Sequence, residues 1–362
     1  MPSRLPPWTT SVPVLALIAL VVTWGRDLPV LVVIVVGVVL AVTVVAAVHH
    51  AEVVAHRVGE PYGSIVLAVA VTVIEVGLIV ALMISGGPEA NALARDTVFA
   101  AVMITCNGIV GIALFVGALR YGLTHFNAEG SGSALATVAT LAATCLVLPA
   151  YTTSAIGPVF STAQLVFASV ASLALYGLFI GTQTGRHRDF FLPVTPEGAV
   201  LEEDAHADPP PARAAWTSLG LLVAALVAVV GLAKVVSPSV ESAVADAGLP
   251  NSFVGVVIAL LILAPETLAA TRAALKDRMQ TSLNLAYGSA MASIGLTIPA
   301  IAIASSWIEG DLVLGLGETQ IVLLVLTMFV SALTVIPGRA TRLQGGVHLV
   351  LLAAFVFLAM NP

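Results

Sequence analysis

Two carboxylates stand in stretches apolar enough to cross a lipid bilayer. Glu75 lies near the centre of the run 63–83, GSIVLAVAVTVIEVGLIVALM, and Glu266 follows Pro265 inside 252–270, SFVGVVIALLILAPETLAA. Placing an ionisable group at such depth costs about 2.5–3.5 kcal/mol on an insertion scale, so each acid is expected to serve a function. Carboxylates with loosened backbone carbonyls are hard oxygen ligands, suited to Ca2+, Na+ or Mg2+ rather than to a soft metal. Pro265 lacks an N–H, so the carbonyl of Leu261 is expected to lose its helical donor beside Glu266. Thr72 is one turn before Glu75 on the same helical face.

The next apolar run after each acid offers polar partners. Run 97–119 holds Thr105 and Asn107, and a buried amide needs hydrogen-bond partners. Run 281–305 holds Asn284, Ser289, Ser293 and Thr297; Ser289 and Ser293 are one turn apart and share a face. Small hydroxylic residues also promote close helix packing, so a structural role competes for each of them. A further cluster, His49, His50, Glu52 and His56, follows the run 28–48. It reads either as a solvated interfacial cluster or as a gate or proton path. It lacks the spacing of a four-ligand zinc site.

These residues need a membrane scaffold to hold them. The chain has 362 residues, 59% hydrophobic and 9% charged, where a soluble domain carries about 25% charge. The fold class is therefore an all-α polytopic membrane protein. Apolar runs predict eleven spans, at 8–24, 28–48, 63–85, 97–119, 133–150, 161–183, 215–235, 252–271, 281–305, 319–337 and 345–360. Residues 185–214 form a Pro-rich linker with an acidic patch, Glu202, Glu203 and Asp204. It reads as a solvated cytoplasmic hinge, with cation sensing as the competing reading.

The linker divides the chain into an extra N-terminal helix (1–27), a first half (28–184) and a second half (215–362), with five spans in each half. An odd number per half turns the halves upside down relative to each other, the layout of an inverted repeat with a site at the midplane. Of the 14 Lys and Arg residues, 11 fall at the amino terminus and in every second loop after it. That asymmetry predicts a multi-pass protein of the plasma (inner) membrane with a cytoplasmic amino terminus and an external carboxyl terminus.

Several classes are excluded. No basic patch with aromatics points to nucleic acid, and no Walker loop, hydrolase elbow or HExxH motif points to an enzyme or an ATP-driven pump. Cys106 and Cys145 lie inside apolar runs and read as small core hydrophobes. No bound cofactor is expected. The expected partners are the bilayer, the transported cation and protons; an oligomer is left open.

Four segments carry a family resemblance: HHAEVVAHRVGEPYG with AVTVIEVGLIVALM, ARDTVFAAVMITCNGIVGIALFVGALR, RHRDFFLPV, and APETLAATRAALKDRMQTSLNLAYGSAMASIGLTIP. The chain resembles the bacterial calcium/proton antiporters of the calcium/cation antiporter superfamily over nearly its whole length after the first helix. The resemblance implies two α-repeats in opposite orientation, each giving one acid to a central cation site, here Glu75 and Glu266. It places a polar residue on the following helix at Asn107 in one repeat and at Gly288, Ser289 and Ser293 in the other. The superfamily's GNxxE pattern is altered, with Val71-Thr72 and Ile262-Leu263 in place of Gly-Asn. The implied activity is exchange of cytoplasmic Ca2+ for external protons by alternating access. The alternatives are Na+(K+)/H+ exchange on the same scaffold, a cation channel and a non-transporting scaffold.

Overall fold

The computed structural model describes residues 7–26, 28–59, 62–86, 91–195, 199, 210–307 and 310–362. Glu60 and the acidic patch Glu202, Glu203 and Asp204 lie outside the described residues. The architecture is almost entirely helical, because lipid offers no partners for backbone N–H and C=O groups and a helix satisfies them internally.

The first half comprises α2 (Val30–Val58), α3 (Tyr62–Gly86), a long span Leu93–Tyr121, a fourth span Ala128–Ala150 and α7 (Thr162–Thr184). The long span is built from α4 (Leu93–Met103), a π-helical segment Ile104–Ile109 and α5 (Val110–Tyr121), and the fourth span begins with α6 (Ala128–Ala142). The second half comprises α8 (Ala212–Asp246), α9 (Ser252–Ala274), a broken span Met279–Trp307, α12 (Glu318–Val335) and α13 (Arg342–Met360). The broken span contains α10 (Met279–Gly295) and α11 (Thr297–Ala304). Before both halves comes α1 (Pro7–Thr23).

Among the described residues, ten helices are long and apolar enough to cross a membrane. The run read from sequence as an eleventh span, 8–24, is the shorter α1 of 17 residues. Several ends differ from the apolar runs. Helix α2 continues ten residues past Val48, so His49, His50, Glu52 and His56 are helical rather than in a loop. Helix α8 likewise extends to Asp246. The apolar run marks what lipid covers, whereas the helix goes on where polar side chains reach the interface.

The halves interlock. Helices α2 and α8, the first of each half, pack along each other, and α1 lies against both. Helix α9 packs on α4, while α3 reaches across to α10 and α11. At one end of the bundle a two-residue strand β1 (Thr124–His125) pairs antiparallel with β2 (Arg339–Ala340). At the other, Val159 pairs with Val313 in an isolated bridge. Large apolar side chains such as Val30 (76% exposed) and Val350 (68%) line the periphery, as a lipid-facing surface requires.

Small residues let the helices approach closely. Gly345 on α13 is one such contact: a Cβ there would lie 2.6 Å from the Phe115 amide nitrogen and 2.9 Å from the Gly111 carbonyl oxygen. Its neighbour Gly346 faces open space, with no atom within 4 Å of a Cβ. Gly345→Ala is therefore expected to destabilise the protein by about 1–3 kcal/mol, the usual cost of overpacking. Gly346→Ala is expected to be neutral or slightly stabilising. Thermal unfolding of the two purified variants in detergent checks the contrast.

Candidate functional site

Helix α3 carries Glu75 among fully packed neighbours, Ile74, Leu78 and Ile79, and the acid itself is only 2% exposed. Its carboxylate is held from the other half of the chain. Ser293 Oγ donates to Glu75 Oε2 at 3.1 Å and Thr297 Oγ1 donates to the same oxygen at 2.9 Å. Ser293 is near the end of α10, and Thr297 opens α11 after the single intervening residue Leu296. Pro299 lacks an N–H, so the carbonyl of Gly295 has no donor four residues on. The span is thus interrupted beside Glu75, where irregular backbone lines a site instead of meeting lipid.

Glu266 is on α9, which continues through Pro265 without interruption. The proline removes one hydrogen bond there but does not break the helix; the break is in the partner span, at Gly295–Thr297. Glu266 Oε2 is buried and accepts no hydrogen bond. The residue lines a cavity of about 240 Å3 between α3, α7 and α10, together with Val71, Tyr176, Phe179, Asn284 and Ser289.

Two helical stripes run from this cavity to Glu75. On α3, Ala68 and Val71 line the cavity, and Glu75 is one turn beyond on the same face. On the opposing span, Ser289 lines the cavity, Ser293 follows four residues later and Thr297 four after that. Thr72, a turn before Glu75, is buried with its hydroxyl unpartnered. Thr72 Oγ1 and Glu266 Oε2 are thus both buried oxygens without a hydrogen-bond partner on the helices that flank the hydroxyl ladder. Among the described residues no three His, Cys, Asp or Glu side chains converge on a metal-sized point, so two acids, hydroxyls and carbonyls are the available donor set.

The structure sends Asn107 elsewhere. Its Nδ2 donates to Thr327 Oγ1 at 2.9 Å, and its Oδ1 faces His348 Nδ1 at 3.1 Å. His348 Nε2 in turn meets Thr334 Oγ1 at 3.1 Å. This fully buried network fastens the π-helical segment to α12 and α13 and commits both ends of the amide. Thr297, noted from sequence among the polar residues of its run, is by contrast one of the two groups that hold Glu75. Its signal was the four-residue spacing from Ser293.

The histidine cluster divides in two. His50 Nε2 bonds the Thr9 carbonyl at 2.9 Å and ties α2 to α1. His49 Nδ1 is 4.0 Å from Glu52 Oε2, with the side chains 30% and 53% exposed. Both lie on α2, which packs against α9, the helix of Glu266, while His50 is a structural contact between α2 and α1. Cys106 and Cys145 are buried free thiols.

Comparison with known proteins bears on the fold and the family. The model of the family described as "Sodium/calcium exchanger protein" matches residues 28–185 and 217–361. The chain is 42% identical over 363 aligned positions, 99% of this chain and 98% of the relative, to the "Putative ionic transporter y4hA" of Sinorhizobium fredii. It is 33% identical to the "Sodium-potassium/proton antiporter ChaA" of Escherichia coli, over 95% of this chain and 93% of the relative. Among solved structures, that of native YfkE, a Ca2+/H+ antiporter protein, superimposes with a TM-score of 0.70 at 17% identity, covering 98% of this chain and 99% of that one. With an N-terminal helix, two halves of five spans and a matching family model over both halves, the chain belongs to the sodium/calcium exchanger family within the calcium/cation antiporter superfamily.

Proposed function

We propose that the chain exchanges cytoplasmic Ca2+ for external protons at one site shared by Glu75 and Glu266. The carrying observation is the junction itself: a buried carboxylate held by Ser293 and Thr297 of the opposite half, continuous along two helical faces with a second carboxylate whose Oε2 is unpartnered. Two carboxylates match the charge of a divalent ion, and two protons leave the same pair neutral. Because the cation and the protons need the same oxygens, one displaces the other, and exchange is coupled without a separate linkage. The two halves rock or slide about this junction so that it opens to one side at a time.

The excess of arginine and lysine at the β1–β2 end makes that end cytoplasmic in this reading. The cavity beside Glu266 reaches toward it between Gln183 near the end of α7 and Thr281 near the start of α10. Glu266 is then the acid a cytoplasmic ion meets first, and Glu75 the one that completes its ligands. Asn107 acts as a positioning residue that holds the π-helical segment, and Glu52 with His49 and His56 gives the approach its charge.

A second reading, exchange of Na+ or K+ for protons, is favoured by the 33% identity to the sodium-potassium/proton antiporter. It keeps the same acids and needs only one of them charged at a time.

In everted membrane vesicles with an imposed pH gradient, added Ca2+ is expected to collapse the gradient; collapse by Na+ or K+ alone would select the second reading. Glu75→Gln and Glu266→Gln are each expected to cut exchange to below about a tenth of wild type while leaving the protein folded, because the amide keeps the shape of the acid. Exchange retained in both would remove the site. Thr297→Val deletes one donor to Glu75, a charge-assisted bond of about 1.5–3 kcal/mol. It is expected to raise the half-saturating cation concentration about ten- to a hundredfold, and Thr297→Ser to restore it.

A further inference from the structure

The cavity beside Glu266 is walled mostly by hydrocarbon and aromatic rings, Val71 on α3, Tyr176 and Phe179 on α7, and Leu285 on α10. A bare metal ion gains nothing from these apolar walls, since its ligands are the oxygens of Glu266 and the few polar residues beside it. An organic ammonium gains from each part: the carboxylate takes its charge, rings attract a cation through their π faces, and the hydrocarbon wall buries its apolar part. An unpartnered buried carboxylate oxygen is costly and favours an occupant that brings N–H donors. The volume of about 240 Å3 sets the size. Drug-sized ligands take about 300–1,000 Å3, so a single ring with a short chain is the fitting scale.

We propose that this cavity is a binding site for small aralkylammonium ions, with the ammonium on Glu266 and the hydrocarbon against Tyr176 and Phe179. A bound ion occupies the approach to the acid and blocks exchange. The blocking action rests on the reading of Glu266 as an exchange acid; binding itself needs only the cavity and its charge. Gly288 gives a clean handle, because it lines the cavity and a Cβ there would meet no atom within 4 Å. A side chain at this position fills the space without displacing its neighbours.

The test is calorimetric titration of the purified full-length protein with 2-phenylethylammonium, and with 2-phenylethanol as the uncharged molecule of the same shape. The wild type is expected to bind the ammonium at least tenfold more tightly than the alcohol. Glu266→Gln and Gly288→Leu are each expected to weaken ammonium binding at least tenfold, and Gly288→Ala to weaken it less. Thermal unfolding near that of wild type shows that the variants are folded, and the graded Ala and Leu pair keeps the test valid if the larger substitution fails. Equal binding of alcohol and ammonium, or ammonium binding unchanged in Glu266→Gln and Gly288→Leu, would overturn the proposal. Ammonium binding in a protein that exchanges no cation would sink the exchange reading and leave this one standing; exchange with no ammonium binding would do the reverse.

Discussion

Everything in this molecule depends on keeping a carboxylate in the middle of a slab of hydrocarbon. Glu75 is 2% exposed, and a carboxylate so placed is tolerable only where donors meet it. The donors are Ser293 and Thr297, 218 and 222 residues away in sequence. That separation explains the topology: the hydroxyls belong to the opposite half, so the acid is satisfied only when the two halves come together. The interruption between α10 and α11 falls at the same level, which places loosened backbone beside the carboxylate.

The two acids are alike in their place along the chain and unlike in their surroundings. Glu75 is held by two hydroxyls, whereas Glu266 leaves Oε2 without a partner beside a cavity. An inverted repeat has this consequence built in, because two halves of opposite orientation cannot face the same side at once. Close glycine contact packs α13 on α5 at Gly345, and the His348–Asn107–Thr327 network pins the π-helical segment to α12 and α13. Irregular backbone beside the acid thus has fixed packing behind it.

Much of this was legible in the sequence, since lipid imposes simple rules. Long apolar runs marked the spans, the odd count in each half marked the inversion, and Glu75 and Glu266 stood out by their cost. The partner relations were less legible. Asn107 announced that a buried amide needs partners, but Thr327 and His348 are more than 200 residues away, and no spacing rule reaches that far. Pro265 pointed to a lost hydrogen bond at Leu261, and α9 continues through it; the interruption falls instead at Leu296, where Gly295 and Pro299 flank a residue with no special character of its own. The histidine run read as one cluster. Helical geometry split it, because His49 and His50 are neighbours in sequence and so point about 100° apart around α2.

The central claim is that a cation and protons compete for oxygens shared by Glu75 and Glu266. Its most direct test is proton release from the purified protein in weakly buffered detergent solution when Ca2+, Na+ or K+ is added, compared with Glu75→Gln and Glu266→Gln. The account predicts that the transported cation releases protons from the wild type and that either substitution abolishes the release. Cation binding with no proton release, or release unchanged in both variants, would contradict it.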